Sequence, residues 1–141
     1  MRCVVEFEAR GHVNIRALHA STIEVTKDPA LTPRGDCIVA VASTKAAADL
    51  PGEFKELARI EGCRIRLILR VGGVMDEVSG YGSPLLTFLS DRSMVFRRSN
   101  YVCPRTVMVR ADKAALHLSR NLVEKLQDPS TVVKLRLEAY L

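Results

Sequence analysis

The chain predicts an α+β fold, mainly antiparallel β: a pseudo-twofold duplicated β-sandwich, jelly-roll-like, or a closed barrel, with two short helices. Three observations point there. Apolar and polar residues alternate with a period of two in several short runs, as half-buried strands require. Two apolar stripes at helical spacing, Leu50-Phe54-Leu57-Ala58 and Leu118-Leu122-Leu126, are brief and sit at matching places. The sequence also repeats: a shift of 68 positions lays Lys45, Ala46, Ala47 and Leu50 on Lys113, Ala114, Ala115 and Leu118. The match runs on without a gap, until Cys63, Ile65, Leu67, Leu69 and Val71 fall on Thr131, Val133, Leu135, Leu137 and Ala139. Upstream the offset is 71, pairing Ile23 with Met94 and Pro33-Arg34 with Pro104-Arg105, so the first copy carries three extra residues before Lys45. One domain, 1–141, with a duplication of roughly 1–71 and 72–141, is the expectation.

The elements follow in order. Cys3, Val5, Phe7 and Ala9 alternate with Glu6, Glu8 and Arg10 in a first strand. Val13, Ile15 and Ala17 alternate with Asn14 and Arg16 in a second, and Ile23 and Val25 lie between Thr22, Glu24 and Thr26 in a third. Asp28 to Gly35, with two prolines and a glycine, is a loop. A buried strand near Ile38 to Ala42 leads to a helical segment from about Lys45, interrupted by Pro51 at the first position of a new helix and stopped near Gly62. The apolar parity of Cys63 to Val71 makes a strand, with Arg64, Arg66 and Arg70 opposite. The second copy repeats this pattern, with Leu85 to Leu89 strand-like and Asp128-Pro129-Ser130 ending the second helix. Short connections favour antiparallel pairing.

Composition narrows the class. With 48% apolar and 26% charged residues, 141 residues suit a single buried core. The longest apolar run, Cys37 to Ala42, falls far short of the roughly 18 residues of a membrane span. Arg2, Glu6, Glu8 and Arg10 interrupt any leader pattern, so a cytoplasmic protein without membrane association is expected. Gly 8, Pro 6 and Cys 4, without biased segments, exclude collagen, coiled coil, disulfide scaffold and disordered tail. Lys and Arg number 21 against 16 Asp and Glu, a net +5, which favours an anionic partner such as nucleic acid, nucleotide or phosphate. Fifteen Arg beside three Asn and one Gln is the usage of a heat-adapted protein, or of a GC-rich genome. Cys3, Cys37, Cys63 and Cys103 form no CxxC pair, so no structural zinc site is predicted. Cys3 and Cys63 read as buried thiols, while Cys37 and Cys103 lie beside turns where a disulfide stays open.

The segments ARGHVNIRALHASTIEVTKD, LTPRGDCIVAVASTKAAADL and YVCPRTVMVRADKAALHLSR resemble an uncharacterised archaeal family, domain of unknown function 371, over nearly the whole chain from about Val5. The resemblance implies a mainly β fold of jelly-roll or barrel type. It implies no reaction, cofactor or partner. Ser43-Thr44-Lys45 stands where the family tends toward Ala-Asp-Lys, as in Ala111-Asp112-Lys113.

Candidate chemistry centres on anions. Lys45 and Lys113 follow Thr44 and Asp112, which read as helix N-caps, and a cation there opposes the helix dipole by roughly 0.3 to 1 kcal/mol. A bound anion would explain both, with Arg34 and Arg105 closing over it; solvated lysines, or Lys113 paired with Asp112, are the bland alternative. Asp36 and Asp112 are the carboxylates of such a site, although Asp36 also suits an Asx turn. Arg64, Arg66 and Arg70, with Lys134 and Arg136 in the other copy, give a basic face that either binds a polyanion together with Arg97 and Arg98 or pairs with Glu6, Glu8 and Glu138. His12, His19 and Glu24 have odd spacing for one strand face, so no metal site is expected; His117 reads as a helix-surface residue. Ser79 to Ser83 resembles a phosphate loop in composition only. Three readings remain: a binding protein for RNA or another polyanion, an enzyme for a small phosphorylated or carboxylated substrate in a cleft between the halves, and a structural subunit, which would show a large exposed apolar patch or an obligate oligomer. A flat positive face favours the first and a deep pocket the second.

Overall fold

The structure, a computed structural model, describes residues 1–141. Its strands are β1 (Arg2–Arg10), β2 (Thr22–Thr26), β3 (Ile38–Ala40), β4 (Arg64–Val71), β5 (Val74–Tyr81), β6 (Ser93–Arg97), β7 (Thr106–Met108) and β8 (Val132–Tyr140). Helices α1 (Gly52–Ala58) and α2 (Arg120–Leu126) each follow a 3₁₀ turn, Ala47–Asp49 and Ala115–His117. The order strand, strand, strand, 3₁₀ turn, helix, strand therefore occurs twice.

The strands form two four-stranded sheets. Sheet A has the order β1-β8-β4-β5 and is antiparallel throughout. In β1 the period of two turns Cys3, Val5, Phe7 and Ala9 inward and leaves the residues between them exposed. Sheet B has the order β3-β2-β6-β7. Its central pair β2/β6 is antiparallel, but β2/β3 and β6/β7 are parallel. The expectation of antiparallel pairing therefore needs correction at these edges. The loop through Asp28 to Gly35 is a crossover that returns the chain to the starting end of β2, where a hairpin would have reversed it. These parallel edges also depart from the antiparallel pairing of a jelly roll.

The sheets are not closed into a barrel, which corrects that alternative. Single bridges, Arg10 to Val41 and Tyr81 to Val109, tie their edges at two corners. Each ladder stops there because the next residue, Ala42 or Arg110, has a positive φ of 51° or 50° and turns the chain away.

Two expected strands are absent. Residues 12–18 and 83–89 are irregular, with Ala17 at φ 51° and Phe88 at φ 53°. Their carbonyls bond to side chains of the helices instead of a neighbouring strand. Gln127 Nε2 donates to Ile15 O at 3.0 Å, Arg120 Nη1 to Ala17 O at 3.1 Å, and Arg59 Nε to Leu86 O at 2.8 Å. Ile15, Ala17, Leu86 and Phe88 are buried and join one cluster of 38 core residues drawn from both sheets and both helices. One core is thus shared by both sheets and both helices.

The helices begin later than the sequence suggests. Pro51, at φ −60° and ψ 150°, precedes the first residue of α1 instead of occupying it. Leu50, Phe54, Leu57 and Ala58 are buried as the stripe requires, and Gly62, at φ 85°, completes the turn after α1. No helix is long and apolar enough to cross a membrane. All four cysteines are free thiols, including Cys37 and Cys103.

Candidate functional site

The outer face of sheet A is densely charged. Strand parity places Arg2, Glu6, Glu8 and Arg10 of β1 there, with Lys134, Arg136 and Glu138 of β8, Arg64, Arg66 and Arg70 of β4, and Glu77 of β5. Seven cations thus share the face with four carboxylates. Glu138 lies at its centre, its side chain only 2% exposed, and takes Arg66 Nε at 3.1 Å, Arg136 Nε at 2.8 Å and Arg2 Nη2 at 3.0 Å. Burial pushes the Glu138 carboxyl up, but the hydrogen bonds from Arg66 and Arg136 outweigh it and hold the group below the usual carboxylate range. Lys134 pairs with Glu8. The expected basic band is therefore partly neutralised where Arg66, Lys134 and Arg136 stand. Arg10, Arg64 and Arg70 make no ion pair.

One end of this face carries an aromatic platform. Tyr81, the last residue of β5, has two guanidiniums over its ring, Arg110 at 4.1 Å and Arg64 at 4.8 Å from the centroid. The sequence pattern names Arg10 only as an alternating residue of the first strand, sets Tyr81 aside because the few aromatic residues do not interleave with basic ones, and gives no sign of Arg110. Arg10 is recoverable from the parity of β1, but Arg110 reaches Tyr81 only through the bridge between the two sheets. The depressions in this face are shallow and open, one lined by Glu6, Ile68, Arg70, Lys134 and Arg136 and another by Arg2, Arg66, Glu138 and Tyr140.

The residues expected to form an anion site at helix starts are placed otherwise. Ala46 and Ala114, not Thr44 and Asp112, precede the 3₁₀ turns. Thr44 and Asp112 instead clamp strand edges. Glu8 N donates to Thr44 Oγ1 at 3.2 Å and Thr44 N returns a bond to Glu8 O at 2.9 Å; Ser79 N donates to Asp112 Oδ1 at 2.9 Å and Asp112 N to Ser79 O at 2.8 Å. Lys113 Nζ is 2.6 Å from Asp76 Oδ1, not paired with Asp112. Lys45 makes no ion pair, Arg34 is exposed and unpaired, and Arg105 pairs with Glu24 at 3.3 Å. The main-chain carbonyl of Asp36 accepts from Leu18 N at 3.1 Å and His19 N at 3.3 Å. No depression of the surface contains Arg34, Asp36, Lys45, Arg105, Asp112 or Lys113.

The histidines have local duties. His12 Nδ1 accepts from Asn14 N at 3.0 Å, His19 Nδ1 from Ser21 N at 3.2 Å, and His117 Nδ1 from Ala114 N at 2.9 Å. His117, exposed on the helical surface as expected, also closes its 3₁₀ turn, as Asp49 does for Ala46 at 2.8 Å. No group of three or more His, Cys, Asp and Glu side chains is arranged to hold a metal ion. Ser79, Gly80 and Tyr81 belong to β5 and do not form a loop. Arg97 is turned toward Cys103, Thr106 and Tyr101, while Arg98 is exposed.

Sheet B carries a second polar cluster that the sequence did not reveal. Arg97 Nη2 lies 3.2 Å from Cys103 Sγ, and Thr106 Oγ1 lies 3.5 Å from the same sulfur. Burial raises the Cys103 thiol, but Thr106 and Arg97 outweigh it and bring it down to about 7. Cys37 donates to Glu24 Oε1 at 3.6 Å, and burial together with that carboxylate pushes its thiol up to about 11. Opposite neighbours give two loop cysteines opposite characters.

Among known proteins, the profile of a domain of unknown function, DUF371, matches residues 7–140. An uncharacterised protein of Methanocaldococcus jannaschii is 38% identical over 126 residues, which cover 89% of this chain and 93% of that protein. The profile runs from the middle of β1 to the end of β8 and takes in both helices, most of both sheets and the charged face apart from Arg2 and Glu6. The chain therefore belongs to the DUF371 family.

Proposed function

We propose that this chain binds single-stranded nucleic acid or a similar flexible polyanion across the outer face of sheet A. The observation that carries the reading is the excess of seven cations over four carboxylates on one open face whose depressions are shallow. Arg10, Arg64, Arg70 and Arg110 are free to neutralise phosphates, and the Arg64-Tyr81-Arg110 stack presents guanidinium planes on which bases rest. Arg66, Lys134 and Arg136 serve mainly to hold Glu138 and Glu8. An enzyme for a small anionic substrate has less support, because Arg34, Asp36, Lys45, Arg105, Asp112 and Lys113 share no cleft.

The test is fluorescence anisotropy with a single-stranded RNA oligonucleotide over a range of salt. Wild type is expected to bind with an affinity that falls steeply with salt. Changing Arg10, Arg64, Arg70 and Arg110 together to Gln should remove most binding and, with four phosphate contacts gone, flatten the log–log slope by about 3. Equal binding by the quadruple variant, its fold verified by circular dichroism, would overturn the reading.

We further infer that residues 1–71 and 72–141 descend from one duplicated unit. In support, Ala17 and Phe88, and Ala42 and Arg110, share positive φ values at offsets of 71 and 68. The clamps of Thr44 on Glu8 and Asp112 on Ser79 obey the same two offsets.

A further inference from the structure

The N-terminal half of β1 is an edge that the chain leaves open. Hydrogen bonding alternates along an antiparallel strand, so Cys3, Val5, Phe7 and Ala9 bond to β8, and the residues between them turn their N–H and C=O groups outward. At the far end those groups are taken: Glu8 by Thr44, and Arg10 by Val41 at 2.7 and 2.9 Å. Arg2, Val4 and Glu6 make no outward main-chain bond within the chain. The matching strand β5 is treated differently. Asp112 and Val109 take Ser79 and Tyr81, and the outward N–H of Glu77 is closed by Asp76 Oδ1 at 2.8 Å, which leaves Met75 alone, beside the hairpin, with an unbonded outward N–H. One edge is thus blunted by its own side chain and the other is not.

The open edge has apolar surroundings. Val4 is 39% exposed in mid-strand, and Met1, Ile60 and Leu141 are exposed beside it. Met1 and Ile60 line a groove of about 340 Å³ between the start of β1 and α1.

We propose that β1 is a self-association edge: two copies of this chain pair residues 2 to 6 of their β1 strands antiparallel about a twofold axis through Val4. The charge sequence selects that register. With the axis at Val4, Arg2 of each copy lies opposite Glu6 of the other, so two opposite-charge pairs flank a valine pair. An axis at Arg2 or at Glu6 would set like charges face to face, which is destabilising. Both side chains are largely exposed, Arg2 at 55% and Glu6 at 73%, and the cross-strand pairs would be made beside or in place of Arg2–Glu138 at 3.0 Å and Glu6–Arg136 at 3.8 Å. Three outward residues per copy exchange paired main-chain bonds, and the clamp at Thr44 ends the pairing after Glu6. The product is an isologous dimer with a continuous eight-stranded sheet.

Sedimentation velocity from micromolar to millimolar chain tests this. Wild type should pass from monomer to dimer as concentration rises. Glu6→Arg should weaken the dimer by about tenfold or more, since both cross-strand pairs become repulsive. Arg2→Glu should do the same, and an equimolar mixture of the two variants should recover dimer, because attraction then exists only between unlike copies. Val4→Pro removes the central N–H at an edge position where proline is tolerated, and should leave a folded monomer. A wild type that remains monomeric at millimolar concentration, or a Glu6→Arg variant that dimerises as well as wild type, would overturn the proposal. Failure of the mixture to recover dimer would overturn the register.

Discussion

Cys103 and Cys37 both sit in loops beside sheet B, yet their sulfurs differ because their neighbours do. Arg97 and Thr106 stabilise the Cys103 thiolate against the cost of burial, whereas Glu24 and burial hold Cys37 protonated. A group whose ionised form is favoured in the folded state gains charge as pH climbs through its lowered pKa. Alkylation of Cys103 by iodoacetamide, followed by peptide mass spectrometry, should therefore rise with a midpoint near the lowered value of about 7. Cys37 should stay unmodified until well above it, in keeping with its value of about 11. Arg97→Gln should move the Cys103 midpoint upward; an unmoved midpoint would show that the guanidinium is not the cause. The sequence showed which residues were cysteines and that no zinc motif joined them, but not this contrast. Arg97 comes from β6 and Glu24 from β2, and only sheet pairing brings them to the loops.

At the scale of elements, each helix C-terminus is held by the other half. Gly11, just after β1, donates from N to Thr131 O at 3.3 Å, and a Cβ there would lie 2.4 Å from Leu126 O at the end of α2. Gly82, just after β5, donates to Cys63 O at 2.9 Å, and a Cβ there would lie 2.0 Å from Ala58 O at the end of α1. No flexible side chain is present to yield. Gly82→Ala and Gly11→Ala should each cost about 3 kcal/mol in urea unfolding, at the upper end of overpacking effects. Gly52→Ala, with nothing within 4 Å of its Cβ, should leave stability unchanged or raise it by about 0.5–1 kcal/mol. Equal effects at all three positions would refute the close approach. The strands β1, β4 and β8 and the stripe of α1 were legible because alternation and helical spacing are local patterns. The segments around Ile15 and Leu86 were misread as strands for a physical reason. Their alternation is real and buries Ile15, Ala17, Leu86 and Phe88, but positive φ falls on Ala17 and Phe88, residues that do not advertise it as glycine would. The reading of Thr44 and Asp112 as helix N-caps missed similarly, since their side chains are spent on strand edges.

For the whole molecule, the two-sheet α+β architecture and the net charge of +5 were legible, while the crossovers that make β3 and β7 parallel were not, because loop direction leaves no periodic trace. The pairing of β1 with β8 carries one further consequence. Arg2 faces Tyr140 across that ladder, and Leu141 N donates to Met1 O at 3.0 Å, so residues 1 and 141 lie side by side. The strands β4 and β5 are joined at the corresponding place by the exposed Gly72-Gly73. Topologically the polypeptide is almost a ring, and the position of its opening is a matter of covalent history more than of packing. A circular permutant opened between Gly72 and Gly73 and sealed by a short glycine linker from 141 to 1 should melt cooperatively with the circular dichroism spectrum of the parent. A permutant that stays unfolded would mean that β1 must be made first for the rest to assemble.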